Sequence, residues 1–211
     1  MSRDPALTTT SYAILGLLAV RPWSTYELAR QMDRGLGRFW PRAQSKIYEE
    51  PKKLVHHGLA EATNETVGRR PRTVYAITAE GRQAMARWLS EPGAGPVLES
   101  EHLLKVFFAE SGTTADTLAT LAAAKAWAEE RNVDNVAAAR AYLAGQAPFQ
   151  QRAAQTGLVG RFLTDYYRLV ADWADWATAV AQQWPDDPAD APADPTEIAE
   201  TLRRAGWRSE S

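Results

Sequence analysis

The chain has 211 residues, is 45% hydrophobic and 24% charged, contains no cysteine and three histidines, and carries a formal net charge of −2. That length and apolar content suffice for one large domain or two small ones with packed cores, and the missing thiols exclude a disulfide framework, a zinc ribbon and a thiol nucleophile. No apolar run approaches the roughly 18 residues of a membrane span. The nearest, Tyr12 to Val20, is too short and lacks a small-residue cleavage pattern behind it, so a cytoplasmic protein with no membrane contact is expected.

Charge is unevenly placed. Divided after Pro92, the chain has 14 Lys and Arg against 9 Asp and Glu before the cut, and 10 against 17 after it. The first part is therefore basic and the second acidic, a contrast that suggests a polyanion as partner of the first part and something else as partner of the second.

The first predicted element is a helix. LTTTSYAILGLLAV opens with threonines able to cap it, and Tyr12, Ile14, Leu15, Leu17 and Leu18 are dense enough to predict a largely buried one. After the turn RPW, Ser24 and Glu27 of STYELARQM have the spacing of a capping box and start a second helix. Gly35 and Gly37 interrupt the pattern. A third helix runs through WPRAQSKIYEEPKKLVHHGL, with Pro41 expected at its first position and Gly58 as its stop. From Leu59 the period changes. LAEATNE and RTVYAIT predict a two-stranded hairpin whose turn, with Gly68 and Pro71, holds Arg69, Arg70 and Arg72. Thr78 caps a fourth helix, AEGRQAMARWL, with Glu80 in its first turn.

EPGAGP is a hinge, and the remainder reads as helix. LESEHLLKVFFAES predicts a short helix with Leu104, Phe107 and Phe108 inward, followed by a long alanine-rich helix from Thr113 to Leu143 of less definite phase. Between Val159 and Trp184 the phase is clear: Phe162, Leu163, Tyr166, Leu169, Val170, Trp173, Trp176, Ala177 and Val180 share a stripe, opposite Arg161, Asp165, Arg168, Asp172 and Asp175. Such a stripe is a core face or a dimer interface; an aromatic-lined pocket beside it would suit a small planar ligand. WPDDPADAPADP reads as a solvated acidic spacer and Thr196 to Arg204 as a small terminal helix. Three segments follow: 1–92, 93–185 and 186–211.

Helix, helix, helix, strand, strand, helix is the order of a winged helix-turn-helix. On its third helix Ile47, Leu54 and Val55 are expected in the core, leaving Gln44, Ser45, Tyr48 and Lys52 for a DNA groove and Arg42, Lys46 and Lys53 for the backbone. Arg69, Arg70 and Arg72 would touch the DNA backbone or minor groove from the hairpin tip. His56 and His57 are adjacent and cannot ligate one metal as a helical pair; His102 among carboxylates lacks further ligands of the right kind. No phosphate loop, nucleophile elbow or His-Glu-x-x-His pattern is present, so neither catalysis nor a cofactor is expected.

SYAILGLLAV followed by STYELARQM, SKIYEEPKKLVHHGL running into the wing, VYAITAEGRQAMARWL, and EHLLKVFFAES together resemble the PadR-like transcriptional regulators, in the form with a long C-terminal helical domain, from Leu7 to about Trp184. The resemblance implies a homodimer formed largely by the C-terminal helices, which binds a double-stranded DNA operator and is usually a repressor released by a small ligand. One departure stands out. Where the family carries proline directly after the tyrosine of IY and leucine two residues on, this chain has Glu49 and Pro51. Pro51 should kink the helix, and Glu49 and Glu50 bring negative charge near a phosphate surface unless they point away from it.

The expected protein is thus mainly α-helical: an N-terminal winged helix-turn-helix with a two-stranded wing and a C-terminal helical dimerisation domain. Ligand or partner binding in the second half would shift the spacing of two reading heads on an operator. Two other readings stay open: a winged helix that binds a protein and DNA only weakly, and a small-molecule enzyme with an unrecognised polar cluster.

Overall fold

Helix α1 (Thr9–Val20) begins at a reciprocal cap in which Ser11 N donates to Thr8 Oγ1 at 3.3 Å and Thr8 N donates to Ser11 Oγ at 2.9 Å. The computed structural model describes residues 6–41, 44–67 and 70–206, and the chain divides into two compact units, Met1–Pro96 and Val97–Ser211. In the first unit α1 is followed by α2 (Thr25–Arg34), α3 (Gln44–His56) and, after the sheet, α4 (Ala79–Ser90). Ile14, Leu15 and Leu18 of α1, Leu28 and Met32 of α2 and Leu54 of α3 are almost inaccessible and make the core. Each such side chain contributes about 1.5–3 kcal/mol of burial. Trp23 lies among them, its indole N–H satisfied by the carbonyl of Leu17 at 2.7 Å.

The sheet has three antiparallel strands rather than the two of a bare hairpin, in the order β1-β3-β2. Strand β2 (Ala60–Val67) pairs with β3 (Arg70–Ile77) from Ala60↔Ile77 to Val67↔Arg70. The added strand β1 (Trp23–Ser24) lies where RPW reads as a turn and pairs with Tyr75 and Val74. The hairpin connection is therefore shorter than expected: Arg70, Pro71 and Arg72 belong to β3, and Gly68 and Arg69 lie outside the described residues. Pro71 lies opposite Thr66, beyond the part of β3 that β1 covers.

Local chemistry sets the joints. Gly58, with φ +68°, ends α3, its N–H on the Val55 carbonyl at 2.9 Å. Thr78 caps α4 by accepting from Gly81 N at 3.0 Å and donates its own hydroxyl to the Gly58 carbonyl at 2.8 Å. Gly81 packs so closely on Leu59 that a Cβ would collide with its carbonyl oxygen. Pro41 lies ahead of α3, three residues before Gln44, and not at its first position.

In the second unit α5 (Glu101–Phe107) precedes the long α6 (Thr114–Leu143) and α7 (Ala153–Ala181), with α8 (Pro195–Ala205) last. Helices α6 and α7 form an antiparallel hairpin: Lys125 Nζ bonds Asp175 Oδ1 at 2.7 Å, and Asn135 Nδ2 donates to Thr164 Oγ1 at 2.7 Å. The chain after α7 returns to the start of α6, where Thr114 N donates to the Asp186 carbonyl at 3.1 Å and its hydroxyl to that of Pro185. Pro188 is buried, so the acidic segment is packed against the unit at its beginning. Among the described residues no helix is long and apolar enough to cross a membrane.

Candidate nucleic-acid interface

Helix α3 presents two faces. Ile47, Pro51 and Leu54 are buried, and Tyr48, Glu49 and Lys52 are exposed, Tyr48 to 43%. Val55, expected in the core, is half-buried. The helix continues through Pro51, and Ile47 and Leu54 hold the turns on either side of the proline in the core. Glu50 does not approach a phosphate surface. It is buried against α1, accepting a hydrogen bond from Ser11 Oγ, and Lys53 Nζ lies 3.7 Å from its Oε1. Lys53 is thereby held toward the protein, and Lys52 is the exposed lysine of the pair. Gln44, Ser45 and Lys46 form the first turn of α3, with side chains outside the described ones; Arg42 lies outside the described residues altogether.

The wing stands beside this face. Arg72 donates from Nε and Nη2 to Glu65 Oε2 at 3.1 and 2.8 Å, directly across the strands, and Thr73 Oγ1 donates to Asn64 Oδ1 at 3.1 Å. Both members of the Arg72–Glu65 pair are more than 40% exposed, so the pair contributes little to stability and Arg72 can exchange Glu65 for another anion at low cost. Arg70 pairs with Val67 at the end of the hairpin, and Arg69 lies outside the described residues.

Tyr48, Pro71, Arg72 and Thr73 line one shallow cleft of about 570 Å³ together with Thr25 and Tyr26 from the first turn of α2. Tyr26 is 64% exposed and has the Arg30 guanidinium 5.7 Å from its ring centre. These α2 residues are absent from the sequence reading. Their signal is there, since Tyr26 falls outside the Leu28, Ala29 and Met32 stripe, but its neighbours across the cleft come from distant segments. The cap of α2 forms as read: Ser24 N donates to Glu27 Oε2 at 2.8 Å. The bonds from the Ser24 backbone and hydroxyl, helped by Arg21, hold the Glu27 carboxyl down at about 2.

In the second unit the expected α7 stripe is two strips. Leu163, Tyr167, Ala174 and Ala181 are buried, on the side that meets Leu121, Ala124 and Ala128 of α6. Phe162, Leu169 and Trp176, seven residues apart, remain 64%, 64% and 46% exposed, about 135° round the helix from that seam. Tyr166, Val170, Trp173 and Val180 are half-buried between the two. Leu104, Phe107 and Phe108 of the α5 segment, expected inward, are also exposed. Beside them an open groove of about 1080 Å³ is lined by Phe108, Trp127, Tyr166 and Val170. Trp127 meets Tyr166 and Tyr167 edge to face, at 6.2 and 5.8 Å between ring centres.

The family model described as "Transcriptional regulator PadR-like family" matches residues 14–87. Over 82 residues the chain is 39% identical to the probable transcriptional regulator Rv1176c of Mycobacterium tuberculosis, covering 38% of this chain and 43% of that protein. Over 99 residues it is 33% identical to the negative transcriptional regulator PadR of Bacillus subtilis, covering 46% and 54%. The matches thus span about half the length of these curated relatives. In three dimensions the chain resembles B. subtilis PadR in complex with operator DNA, with a TM-score of 0.72 at 23% identity over 82% of this chain and 99% of that one. The same protein in complex with p-coumaric acid gives 0.65 at 24% identity, over 83% and 100%. At these identities the structural likeness establishes the fold, a winged helix with a C-terminal helical region, and the sequence matches are confined to the first unit. Over residues 14–87 the chain is similar to the PadR-like transcriptional regulators.

Proposed function

We propose that the chain is a sequence-specific DNA-binding repressor that acts in the cytoplasm as a homodimer and responds to a small aromatic ligand. The observation that carries this reading is the cleft that brings Tyr48 of α3, Arg72 of the wing and Tyr26 of α2 together, with Lys52 exposed on the same helix. Tyrosine offers a hydroxyl and an apolar ring edge to bases, whereas lysine and arginine supply charge to phosphates. The likeness to a PadR solved with operator DNA supports DNA as the partner here. Association through the second unit is supported by the exposed Phe162, Leu169 and Trp176 strip, which leaves apolar surface that a second copy would cover. Repression is carried over from the relative named a negative regulator, and an aromatic ligand from its complex with p-coumaric acid. Ligand binding would act by favouring one spacing of the two reading heads over another.

The test is selection of genomic fragments by the purified protein at a stated salt concentration, followed by affinity measurements on a selected and a random duplex. A repressor of this kind enriches fragments with two-fold related half-sites and binds them at least about a thousandfold more tightly than random DNA. Uniform recovery of fragments, with equal affinity for both duplexes, would leave the winged unit as a protein-binding module.

A further inference from the structure

Helix α3 carries a proline in its middle, which removes the hydrogen bond to the Ile47 carbonyl and crowds that group. A helix so interrupted bends more readily than an intact one, yet Tyr48 and Lys52 sit on the turns flanking the defect. On the opposite side of the same turn, Glu50 is buried and accepts a hydrogen bond of 2.5 Å from Ser11 Oγ, 39 residues away in the chain. Ser11 is wholly inaccessible and already serves the cap of α1, where its Oγ accepts from Thr8 N at 2.9 Å. Lys53 Nζ, 3.7 Å from Glu50 Oε1, balances the charge, the two side chains being 14% and 12% exposed. One carboxylate therefore joins α3 to the first turn of α1 beside the point where Pro51 breaks the ladder.

Stability alone does not account for this arrangement. Taking two charges out of water costs several kcal/mol, and apolar residues of similar volume in place of a buried ion pair are often neutral or stabilising. What the polar trio adds is direction, since a hydrogen bond fixes distance and angle where apolar packing fixes volume. Rotating α3 by about 10° about its axis carries a group roughly 8 Å from that axis through about 1.5 Å, more than a hydrogen bond to a base edge tolerates.

We propose that Ser11, Glu50 and Lys53 are positioning residues that fix the roll of the proline-containing helix α3 and so set the base selectivity of its exposed face. This rests on the DNA-reading role given to α3 above. The experiment uses the full chain, a duplex selected from genomic fragments by the wild type and a random duplex, with thermal unfolding measured alongside. Glu50→Gln keeps an acceptor for Ser11 and should hold the ratio of the two affinities within about threefold of wild type. The double variant S11A/E50L exchanges the polar contact for an apolar one and leaves Lys53 without its counter-charge, so it should unfold below the wild-type temperature; where it is folded, its ratio should fall about tenfold or more while its affinity for random DNA persists. Ser11→Ala alone, measured where it is folded, should lower the ratio in the same way and covers the case in which the double variant does not fold. A wild-type ratio in S11A/E50L, or in folded Ser11→Ala, overturns the proposal and leaves the trio a stabilising contact. A wild-type protein that does not distinguish the duplexes removes the DNA reading itself, and the inference with it.

Discussion

Replacing Leu169 by aspartate tests the second unit at a position where the single chain has little to lose. Leu169 is 64% exposed, so the α6–α7 hairpin gives up almost no packing of its own. If a second copy covers the strip, about two thirds of the burial energy of a leucine is lost in each subunit, roughly 1–2 kcal/mol per chain and 2–4 kcal/mol per dimer. That corresponds to a dissociation constant raised about 30- to 1,000-fold before the cost of burying two carboxylates is added. Sedimentation velocity across nanomolar to high micromolar protein reads this directly, with Arg168→Ala on the polar face of α7 as control and helical circular dichroism as the check on folding. The wild type and the control should sediment as dimers at micromolar concentration, and Leu169→Asp as a folded monomer. A wild-type monomer in that range, or a Leu169→Asp dimer of unchanged strength, would refute the assignment of the outer strip.

Glu65→Gln releases Arg72 from its 2.8 Å ion pair and should tighten binding to any duplex, steepening the salt dependence by up to about 2 per dimer in log–log slope; an unchanged slope would place Arg72 outside the interface. Gly81→Ala forces a Cβ against the Leu59 carbonyl oxygen and should cost about 1–3 kcal/mol, seen as a lower unfolding temperature of the winged unit; no change would mean that α4 yields freely. Glu27 has its carboxyl lowered from 4.5 to about 2, so its contribution to stability is complete above the unfolded value and is lost as pH falls from about 4.5 toward 2. Glu27→Gln should flatten the acid limb of the stability profile in that window, and a limb of unchanged slope would show the cap to be energetically silent.

The parts of the fold legible in the sequence are those whose cause is local. Ser24 and Glu27 announce the α2 cap, Thr78 the start of α4 and Gly58 the end of α3, because each acts on backbone within a few residues. Features made by distant partners were not legible. Strand β1 is two residues long and exists through Val74 and Tyr75. Glu50 turns inward because Ser11, 39 residues earlier, receives it. The α7 pattern shows which residues are apolar, but only the position of α6 decides that Leu163 and Tyr167 are covered and Phe162 and Leu169 are not. The cleft was half visible: Tyr48 and Arg72 follow from the order of elements, whereas Tyr26 joins them only once α2 and the wing are side by side.

The most direct test of the account compares Tyr48→Ala with wild type on a selected operator and on a random duplex at one fixed salt concentration. Tyr48 is 43% exposed on α3 and lies outside the buried core, so the variant should fold. If its ring and hydroxyl read bases, operator affinity should fall by about 1–3 kcal/mol, roughly 5- to 150-fold, while random-duplex affinity changes by less than about twofold. Equal losses on the two duplexes, or no loss on either, would contradict sequence reading by α3.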